Sequence, residues 1–518
     1  MRSVMEHSFS QVPRAEIPRS TFDRSHGLKT TFDADWLVPI YVDDVMPGDT
    51  FRMNANFMGR LSTPLHPIMD NMFLDTFFFF VPYRLIWDDF KKFHGERVDP
   101  DDSIDFVVPT IQNSVHTVTA GDIFDYMGLP QTNVSGSDIS VLPFRAYNLI
   151  WNEWFRDQNL QDSVTVQTDS TPDLASVYSL LKRGKRHDYF TSSLPSPQKG
   201  ASVQLPLGSL APVTGFDIGT GGTAVVVHDG EVGVNRSLRA TSANADYVHY
   251  DSTANNGRKL YADLADATAA TINDLRLAFQ TQRLLERDAR GGTRYNELIR
   301  AHFGVTVPDF RVQRPEFIGG GSSMVNVTPI ANTAGQSGDY VGQLGAMGTV
   351  SGSHDWTYSA VEHGVIIGLA NVRGDITYSQ GLERYWSKST RYDFYYPVLA
   401  QIGEQAVLGK EIYYDTGSGN DDVFGYQERY AEYRYKPSRL TGLFSPWASG
   451  SLDAWHLSEE FATRPSLGST FIQSNTGAPL DRAIAVPSEP HFILDTYFNL
   501  KCVRPMPLYG VPGNLDHF

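Results

Sequence analysis

The chain has 518 residues, more than one compact core usually supports, which predicts two domains or one domain with large insertions. Hydrophobic residues make up 41% and charged residues 20% of the chain, and this balance excludes a largely disordered protein. The net charge of −16 disfavours general binding to polyanions, so any contact with nucleic acid must be local. Cys502 is the only cysteine, which excludes an intramolecular disulfide framework.

Residues 1–50 are polar with scattered proline and glycine, and this composition predicts an extended N-terminal arm. The first residues lack the apolar core of a secretion signal, and no apolar stretch is long enough to span a membrane. We therefore expect no membrane insertion and a chain that folds in a reducing cytoplasm. The near-continuous aromatic run at residues 72–81, which Pro82 closes, predicts a buried strand.

Three segments have the spacing of apolar residues that is typical of helices. Residues 144–159 place their large aromatic side chains on one face. A second helix is expected to start near Thr271, where Thr271 and Asp274 resemble a capping box. A third helix is expected from Thr293, with Gly304 as its C-terminal stop.

Two regions are rich in glycine and poor in long apolar side chains. Residues 201–259 alternate short valine-rich pieces with glycine turns, which predicts a solvent-exposed insertion made of small hairpins. Residues 318–353 lack a helical period, and we expect large surface loops there. From Gly364 to the end the pattern is mostly extended, and the clear alternation at residues 492–502 predicts a half-buried strand.

The fold class predicted from these elements is mainly β, with long loop insertions and a few helices. Many short strands with long connections favour a two-sheet β-sandwich, of which the eight-stranded antiparallel jelly roll tolerates long loops best. We expect residues 51–518 to form a single jelly-roll domain with large insertions. The same scaffold serves capsids, lectins, cupins and carbohydrate-cleaving enzymes, so the fold alone leaves the function open.

The search for catalytic chemistry is mostly negative. Residues 403–411 resemble a phosphate loop, but five residues separate the glycines and a glutamate replaces the magnesium-binding Ser or Thr. Adjacent carboxylates such as Asp43 and Asp44 point to opposite faces of a strand, which favours solvated turns over a glycosidase pair. His302 and His363 have no second ligand at helical spacing and are given no role. We predict no enzyme activity, no cofactor and no catalytic or metal site, while metal binding by scattered carboxylates stays open.

One cationic cluster stands out from this acidic chain. It comprises Lys182, Arg183, Lys185, Arg186 and His187. Beside the aromatic residues that follow, such a cluster can neutralise phosphates and stack bases without reading sequence. The alternatives are a solvated turn and a salt-bridge patch between subunits. Residues 430–436 mix aromatic and basic side chains in a similar way, and there we favour a sheet surface with cross-strand aromatic pairs.

Long blocks of the sequence are similar to those of one viral protein family. They are SHGLKTTFDADWLVPIYVDDVMPGDTF, HPIMDNMFLDTFFFFVPYRLIWD, RAYNLIWNEWFRDQNL, LLKRGKRHDYFTSSLPSPQKG, LLERDARGGTRY, EHGVIIGLANVRGDITYSQGL, TRYDFYYPVLAQIGEQAVLGKEIYY, FGYQERYAEYRYKPSRLTG and RPMPLYGVPGNLDHF. In this order they closely resemble the major capsid proteins of the Microviridae, in the gokushovirus branch. The likeness runs from about residue 20 to Phe518 and is lost mainly in residues 201–259.

The resemblance implies a structural protein of which sixty copies form a T=1 icosahedral shell around circular single-stranded DNA. It implies a virion capsid assembled in the cytoplasm of a bacterial host, with pilot or scaffolding phage proteins as further partners. It also implies that residues 201–259 form protrusions at the threefold axes that take part in recognising a host cell-surface receptor. Because the chain is acidic, a small basic DNA-binding phage protein is expected to accompany it.

Two other classes of function compete with the shell. A sugar-binding or sugar-cleaving jelly roll would need a carboxylate pair facing a groove, which the sequence leaves open. A nucleic-acid-binding module acting alone is disfavoured by the net charge of −16. Neither accounts for the family resemblance.

Overall fold

The computed structural model describes residues 17–112, 115–203, 272–334 and 340–509, and the strands Phe216–Ile218, Val225–His228 and Asn235–Ser237. The chain divides into two compact units. The larger comprises Met1–Pro197 and Gly292–Phe518, and the smaller comprises Gln198–Gly291.

The secondary-structure elements are numbered in chain order. The strands are β1 (Ser20–Asp23), β2 (His26–Phe32), β3 (Val38–Val45), β4 (Thr50–Leu61), β5 (Met72–Pro82), β6 (Val115–Thr117), β7 (Asn133–Ser135), β8 (Phe216–Ile218), β9 (Val225–His228), β10 (Asn235–Ser237), β11 (Glu316–Met324), β12 (Asn326–Ala331), β13 (Leu344–Ser359), β14 (Gly364–Gly374), β15 (Glu404–Leu408), β16 (Val423–Glu428) and β17 (Phe492–Arg504). The helices are α1 (Phe90–Phe93), α2 (Ile123–Tyr126), α3 (Leu142–Ile150), α4 (Ile272–Gly291), α5 (Tyr295–Phe303), α6 (Asp309–Val312), α7 (Gly409–Ile412), α8 (Ser469–Ile472) and α9 (Gly477–Ala483).

Two antiparallel sheets dominate the larger unit. The first has the order β1-β17-β4-β13-β12, and β2 also pairs with β17. The second has the order β11-β5-β14-β3. The prediction of a mainly β chain with antiparallel sheets, few helices and long connections is confirmed.

The inner faces of the two sheets share one hydrophobic core. On β17 the predicted alternation is confirmed, since Phe492 and Leu494 are buried while Asp495, which follows Leu494, is exposed. Phe78 and Phe80 of β5 reach the same core from the second sheet. A buried aromatic side chain of this kind contributes about 1.5–3 kcal/mol, so this shared core fixes the register of both sheets.

A second core explains why the aromatic run of β5 is almost continuous. The side chains that alternate with the inner ones, Phe79 and Val81, pack with α3 and with the outer face of β14. Both faces of β5 are therefore buried, and a strand buried on both faces carries no polar alternation. The prediction of a buried strand at residues 72–81 is confirmed.

The predicted helices are also confirmed. The segment predicted at 144–159 corresponds to α3, which begins at Leu142, and to a π-helical turn at Trp151–Phe155, where the helical structure ends. The second and third segments form α4 and α5, and α5 ends at Gly304 in a left-handed conformation with φ of 70°. Thr271, and with it the predicted capping box, lies outside the described residues.

The prediction of surface loops at residues 318–353 is wrong, because β11, β12 and β13 occupy most of this region. Its glycines face large side chains at close range. A Cβ on Gly319 would lie 2.5 Å from the Cβ of Trp356, and a Cβ on Gly321 would lie 2.4 Å from the ring of His354. The glycines thus allow β11 of one sheet to approach β13 of the other, a constraint on packing that composition does not reveal.

The mostly extended pattern predicted after Gly364 holds for β14 and β17 but fails between them. Residues 375–491 contain the short pair β15 and β16, short helices and several 3₁₀ turns. Residues 430–436 form a 3₁₀ turn at Ala431–Tyr433, so the predicted sheet surface is wrong there. Tyrosine and phenylalanine are common in strands, but Pro397 and capped turns such as Arg391–Asp393 interrupt pairing in this region.

The predicted N-terminal arm and the predicted insertion are described only in part. Within residues 17–50, β1 and β2 pair with β17, and β3 forms an edge of the second sheet. Residues 1–16 lie outside the described residues. Of residues 201–259, the structure describes 201–203 and the antiparallel sheet β10-β9-β8. The boundaries of the arm, of the 51–518 domain and of the insertion stay predictions.

Candidate functional site

The basic segment, residues 182–187, runs as an extended piece between two other parts of the chain. The backbone N–H of Arg183 donates to the carbonyl of Asp35 at 3.0 Å. On the other side, the N–H of Lys185 donates to the carbonyl of Ile472 at 2.8 Å, and the N–H of Ser474 donates to the carbonyl of Arg183. These backbone hydrogen bonds fix the segment, so its side chains project from a rigid support rather than from a free loop.

Arg183 points inward and is neutralised within its own chain. Its guanidinium donates to the carboxylate of Asp75 on β5 and lies 4.6 Å from the centre of the Phe77 ring. Arg373 of β14 reaches the same carboxylate, with its Nε 3.7 Å from Asp75 Oδ2. Two guanidinium groups therefore share one buried carboxylate, which leaves an excess of positive charge.

The excess charge shows in the acid-base properties of these side chains. Burial and the neighbouring Arg183 lower the pKa of Arg373 to about 9, so its guanidinium group remains protonated at neutral pH. The Nε of Arg373 has no hydrogen-bond partner among the described residues. Such a cationic pair favours the approach of an anion.

Lys185 is the most buried member of the cluster. Its ammonium group pairs with Glu459 and lies 4.2 Å from the centre of the Phe471 ring. Burial lowers the pKa of Lys185, and the Glu459 carboxylate opposes this effect. Lys185 thus holds the basic segment against the rest of the unit.

The other three basic side chains face outward. Arg186 pairs with Asp375 at 2.9 Å, and its side chain remains 38% exposed. Lys182 lies 5.1 Å from the centre of the Trp36 ring, and His187 is exposed. In the part of the chain that the structure describes, no carboxylate forms an ion pair with Lys182 or His187.

An aromatic cleft of about 390 Å³ opens beside these cations. It is lined by the basic side chains of Arg183, Lys185, Arg186, His187 and Arg373 and by the rings of Phe77, Phe79, Trp154, Phe155 and Phe317. Positive charge that neutralises phosphate and ring faces that stack on bases are the two requirements for binding single strands without sequence preference. The cleft can therefore hold a nucleotide or an acidic side chain.

Sequence reasoning found the basic segment but missed Arg373, Trp154 and Phe317. The sequence does contain a signal for Arg373, because two apolar strands each carry one charged residue. Asp75 interrupts the aromatic run of β5, and Arg373 ends the apolar run of β14. In the structure β5 and β14 are neighbours. Opposite charges in two buried strands predict an ion pair between them, because burial of either charge without a partner costs several kcal/mol of free energy.

The described residues offer little else that carries chemistry. No group of three or more His, Cys, Asp or Glu side chains among them is arranged to hold a metal ion. None of the described helices is long and apolar enough to cross a membrane.

Comparison with known families decides between the competing classes of function. A family described as "Capsid protein (F protein)" matches residues 10–514 of the chain. The chain belongs to this family. The predicted resemblance to Microviridae capsid proteins is thereby confirmed. The protein is a structural component of the virion of a small single-stranded-DNA phage and not an enzyme.

Individual relatives support the same assignment along the whole chain. The chain is 44% identical to capsid protein VP1 of Bdellovibrio phage phiMH2K, with 99% of this chain and 98% of the relative covered. It is also 44% identical to capsid protein VP1 of Chlamydia phage 1, with the same coverage. Capsid protein VP1 of Spiroplasma virus 4 is 36% identical over 98% of this chain and 97% of the relative.

Proposed function

We propose that sixty copies of this chain form a T=1 icosahedral shell around circular single-stranded DNA. The observation that carries the proposal is the family match over residues 10–514. Capsid proteins assemble with copies of themselves, and closed symmetry lets one set of surfaces serve every contact. Assembly would take place in the cytoplasm of a bacterial host.

The wall of this shell would be an eight-stranded jelly roll. The four strands β2-β17-β4-β13 and the four strands β11-β5-β14-β3 support this topology. Consecutive strands move from one sheet to the other, as they do from β2 to β3, from β3 to β4 and from β4 to β5. Long connections then leave both ends of the sheets, where they are free to meet neighbouring subunits.

The basic segment would contact DNA or a neighbouring subunit. Since Arg183 and Lys185 pair with Asp75 and Glu459, we assign direct contact to Lys182, Arg186 and His187 and the shaping of the cleft to the other two. The net charge of −16 per chain cannot neutralise a genome. A small basic DNA-binding phage protein would supply the missing charge.

Host recognition would use the insertion at residues 201–259. Its glycine-rich and polar composition suits a solvent-exposed protrusion at the threefold axes, which would contact a host cell-surface receptor. Pilot or scaffolding phage proteins complete the proposed set of partners.

The proposal is tested by expressing the full chain alone and together with a small basic phage protein and single-stranded DNA. Size-exclusion chromatography and negative-stain microscopy should then reveal uniform closed particles, or smaller rings that close when DNA and the partner are added. A stable monomer that never assembles and binds glycans would overturn the shell and support a carbohydrate-binding protein.

The DNA contact is tested in the same particles. Replacing Lys182, Arg186 and His187 with Ser should lower the packaged DNA without unfolding the chain, since none of these side chains is buried. A matched control replaces Arg300 and Arg311, two exposed cations elsewhere, with Ser. Full particles with normal DNA content from the first variant would remove the assignment.

A further inference from the structure

A surface rich in exposed rings lies in the region between β14 and β17. We call it the aromatic surface and define it by residues 384–396 and 429–439. Tyr385 and Trp386 are 64% and 66% exposed, and Tyr392 is 58% exposed. Exposed aromatic side chains at this density are typical of the centre of a protein interface.

The aromatic surface is held in place before any partner binds. The Nζ of Lys388 lies 4.0 Å from the centre of the Tyr433 ring and donates to the hydroxyl of the same tyrosine at 2.7 Å. The guanidinium of Arg391 lies 5.7 Å from the ring centres of both Tyr392 and Tyr396. These contacts order part of the surface in the free chain, which reduces the entropy lost on association.

The aromatic surface is also positively charged. Its two segments contain seven Lys or Arg residues and two Asp or Glu residues, and the adjoining Glu383 and Glu428 pair with three of these cations, so a net positive charge remains. Arg391 and Arg429 form no ion pair with a carboxylate among the described residues. A partner for this surface should therefore combine apolar side chains with negative charge.

The same chain contains a segment with these properties. We call residues 96–107 the acidic loop, because it contains five Asp or Glu residues and a single Arg. Val98 and Val107 are nevertheless 84% and 79% exposed. The carboxylate of Asp102 accepts the backbone N–H groups of Val98 and Asp99 at 3.0 Å each, so the loop has a defined shape.

We propose that the acidic loop of one subunit docks on the aromatic surface of a neighbouring subunit in the shell. The proposal rests on the proposed function, since it requires copies of the chain to assemble. Each subunit would give one contact and receive one, a head-to-tail arrangement that closes into a ring around a symmetry axis. The exposed valines would bury against the rings while the carboxylates meet the cations at the rim.

DNA is the other polyanion that a basic aromatic surface can bind, but two features favour a protein partner. Glu383 accepts from Lys436 and Arg439, and Glu428 pairs with Arg434, so carboxylates lie where a phosphate backbone would run. Directly after the first segment of the aromatic surface, two aliphatic side chains are also exposed, Val398 by 88% and Ile402 by 62%. A charged phosphate backbone offers these side chains no apolar partner, whereas the valines of the acidic loop do.

A charge-reversal experiment on the full chain tests the contact. In one variant Arg391 and Lys436 are replaced by Glu, and in another Asp101 and Asp105 are replaced by Lys. Each variant alone should raise the concentration needed for assembly by roughly tenfold or more, because like charges then meet at the interface. The combined variant should restore assembly to within about threefold of the unmodified chain.

A mismatched combination controls for the net charge. It joins the Asp101→Lys and Asp105→Lys changes to Arg300→Glu and Arg311→Glu, which lie outside the aromatic surface, and it should stay defective. A second, uncharged test replaces Trp386 with Ala, which should weaken assembly, and uses Tyr340→Ala, an exposed ring elsewhere, as its control. Thermal unfolding of each unassembled variant verifies that the subunit folds.

Each outcome has a definite meaning. Rescue by the matched combination alone would support the contact. Folded charge variants that assemble normally would overturn it, and so would rescue by the mismatched combination. Normal assembly of the Arg391→Glu and Lys436→Glu variant with a loss of packaged DNA would overturn it in favour of a DNA-binding face. If the unmodified chain forms no shells, the proposed function fails, and this contact fails with it.

Discussion

Asp75 is expected to be essential for the stability of the subunit, because it is the carboxylate shared by Arg183 and Arg373. Asp75 is 5% exposed, and the side chains of the two arginines are 15% and 13% exposed. Asp75→Asn keeps the shape of the side chain and removes its charge, which leaves two cations in a poorly solvated site. Removal of one partner from a buried pair costs about 3–5 kcal/mol. We expect about 3 kcal/mol here, since both arginines keep some contact with water.

The loss is measured by urea unfolding of the unassembled subunit, as a lower midpoint at an unchanged slope. Asp495→Asn is the matched control, because Asp495 is 56% exposed in its pair with Lys29 and should cost less than about 0.5 kcal/mol. A loss below about 1 kcal/mol for Asp75→Asn would refute the view that the carboxylate neutralises the arginines.

The same variant tests whether the cleft attracts anions. With Asp75 neutral, inorganic phosphate should bind the arginines and restore part of the lost stability. Phosphate at ten times its dissociation constant would return about 1.4 kcal/mol. Equal effects of phosphate on Asp75→Asn and on the Asp495→Asn control would contradict an anion site.

Three further predictions concern the core. Arg145→Met should lower the free energy of unfolding in urea by about 4 kcal/mol, since Arg145 and Asp173 are fully buried and joined by hydrogen bonds of 2.8 and 2.6 Å. A loss of under about 1 kcal/mol would count against a stabilising role of this ion pair. Burial lowers the pKa of His354, so its contribution to stability is present above its unfolded pKa of about 6.5 and is lost as the pH falls through the folded value. His354→Gln should therefore weaken the dependence of the urea midpoint on pH between 7.5 and 5.5, and an unchanged dependence would exclude this histidine as the cause. Gly320→Ala places a Cβ 2.1 Å from a backbone oxygen of β5 and should lower the stability measured by thermal unfolding by about 3 kcal/mol. The control Gly345→Ala, whose Cβ has 3.9 Å of clearance, should be nearly neutral. Similar melting temperatures of the two variants would refute the steric argument.

The sequence predicts the elements whose burial pattern is local. The strand β17 alternates because one face is buried, and α3 has a helical period because one side meets the second core. The glycine-rich strands β11 and β13 were missed because their packing partners are remote. In the sequence alone, a glycine that makes room for Trp356 cannot be told from a glycine in a loop.

The candidate site was predictable as a charge but not as a geometry. The sequence places five cationic residues together at 182–187, yet Asp75 is 108 residues from Arg183 and Glu459 is 274 residues from Lys185. Only the fold brings these carboxylates to the basic segment. Two of its cations are therefore structural, and the contact with DNA or a neighbouring subunit stays a prediction for the remaining three.

The central place of β17 in the first sheet has a consequence for the biosynthesis of the protein. Arg24 and Cys502 are 478 residues apart in the sequence, and yet their side chains lie 3.9 Å apart. At a translation rate of about 5–20 residues per second, β4 leaves the ribosome roughly 20–90 s before β17, one of the two strands that pair with it. Throughout that interval β4 presents an open edge of unpaired backbone N–H and C=O groups that other nascent chains can pair with. A host cell making many copies at once must keep these edges apart until translation reaches β17.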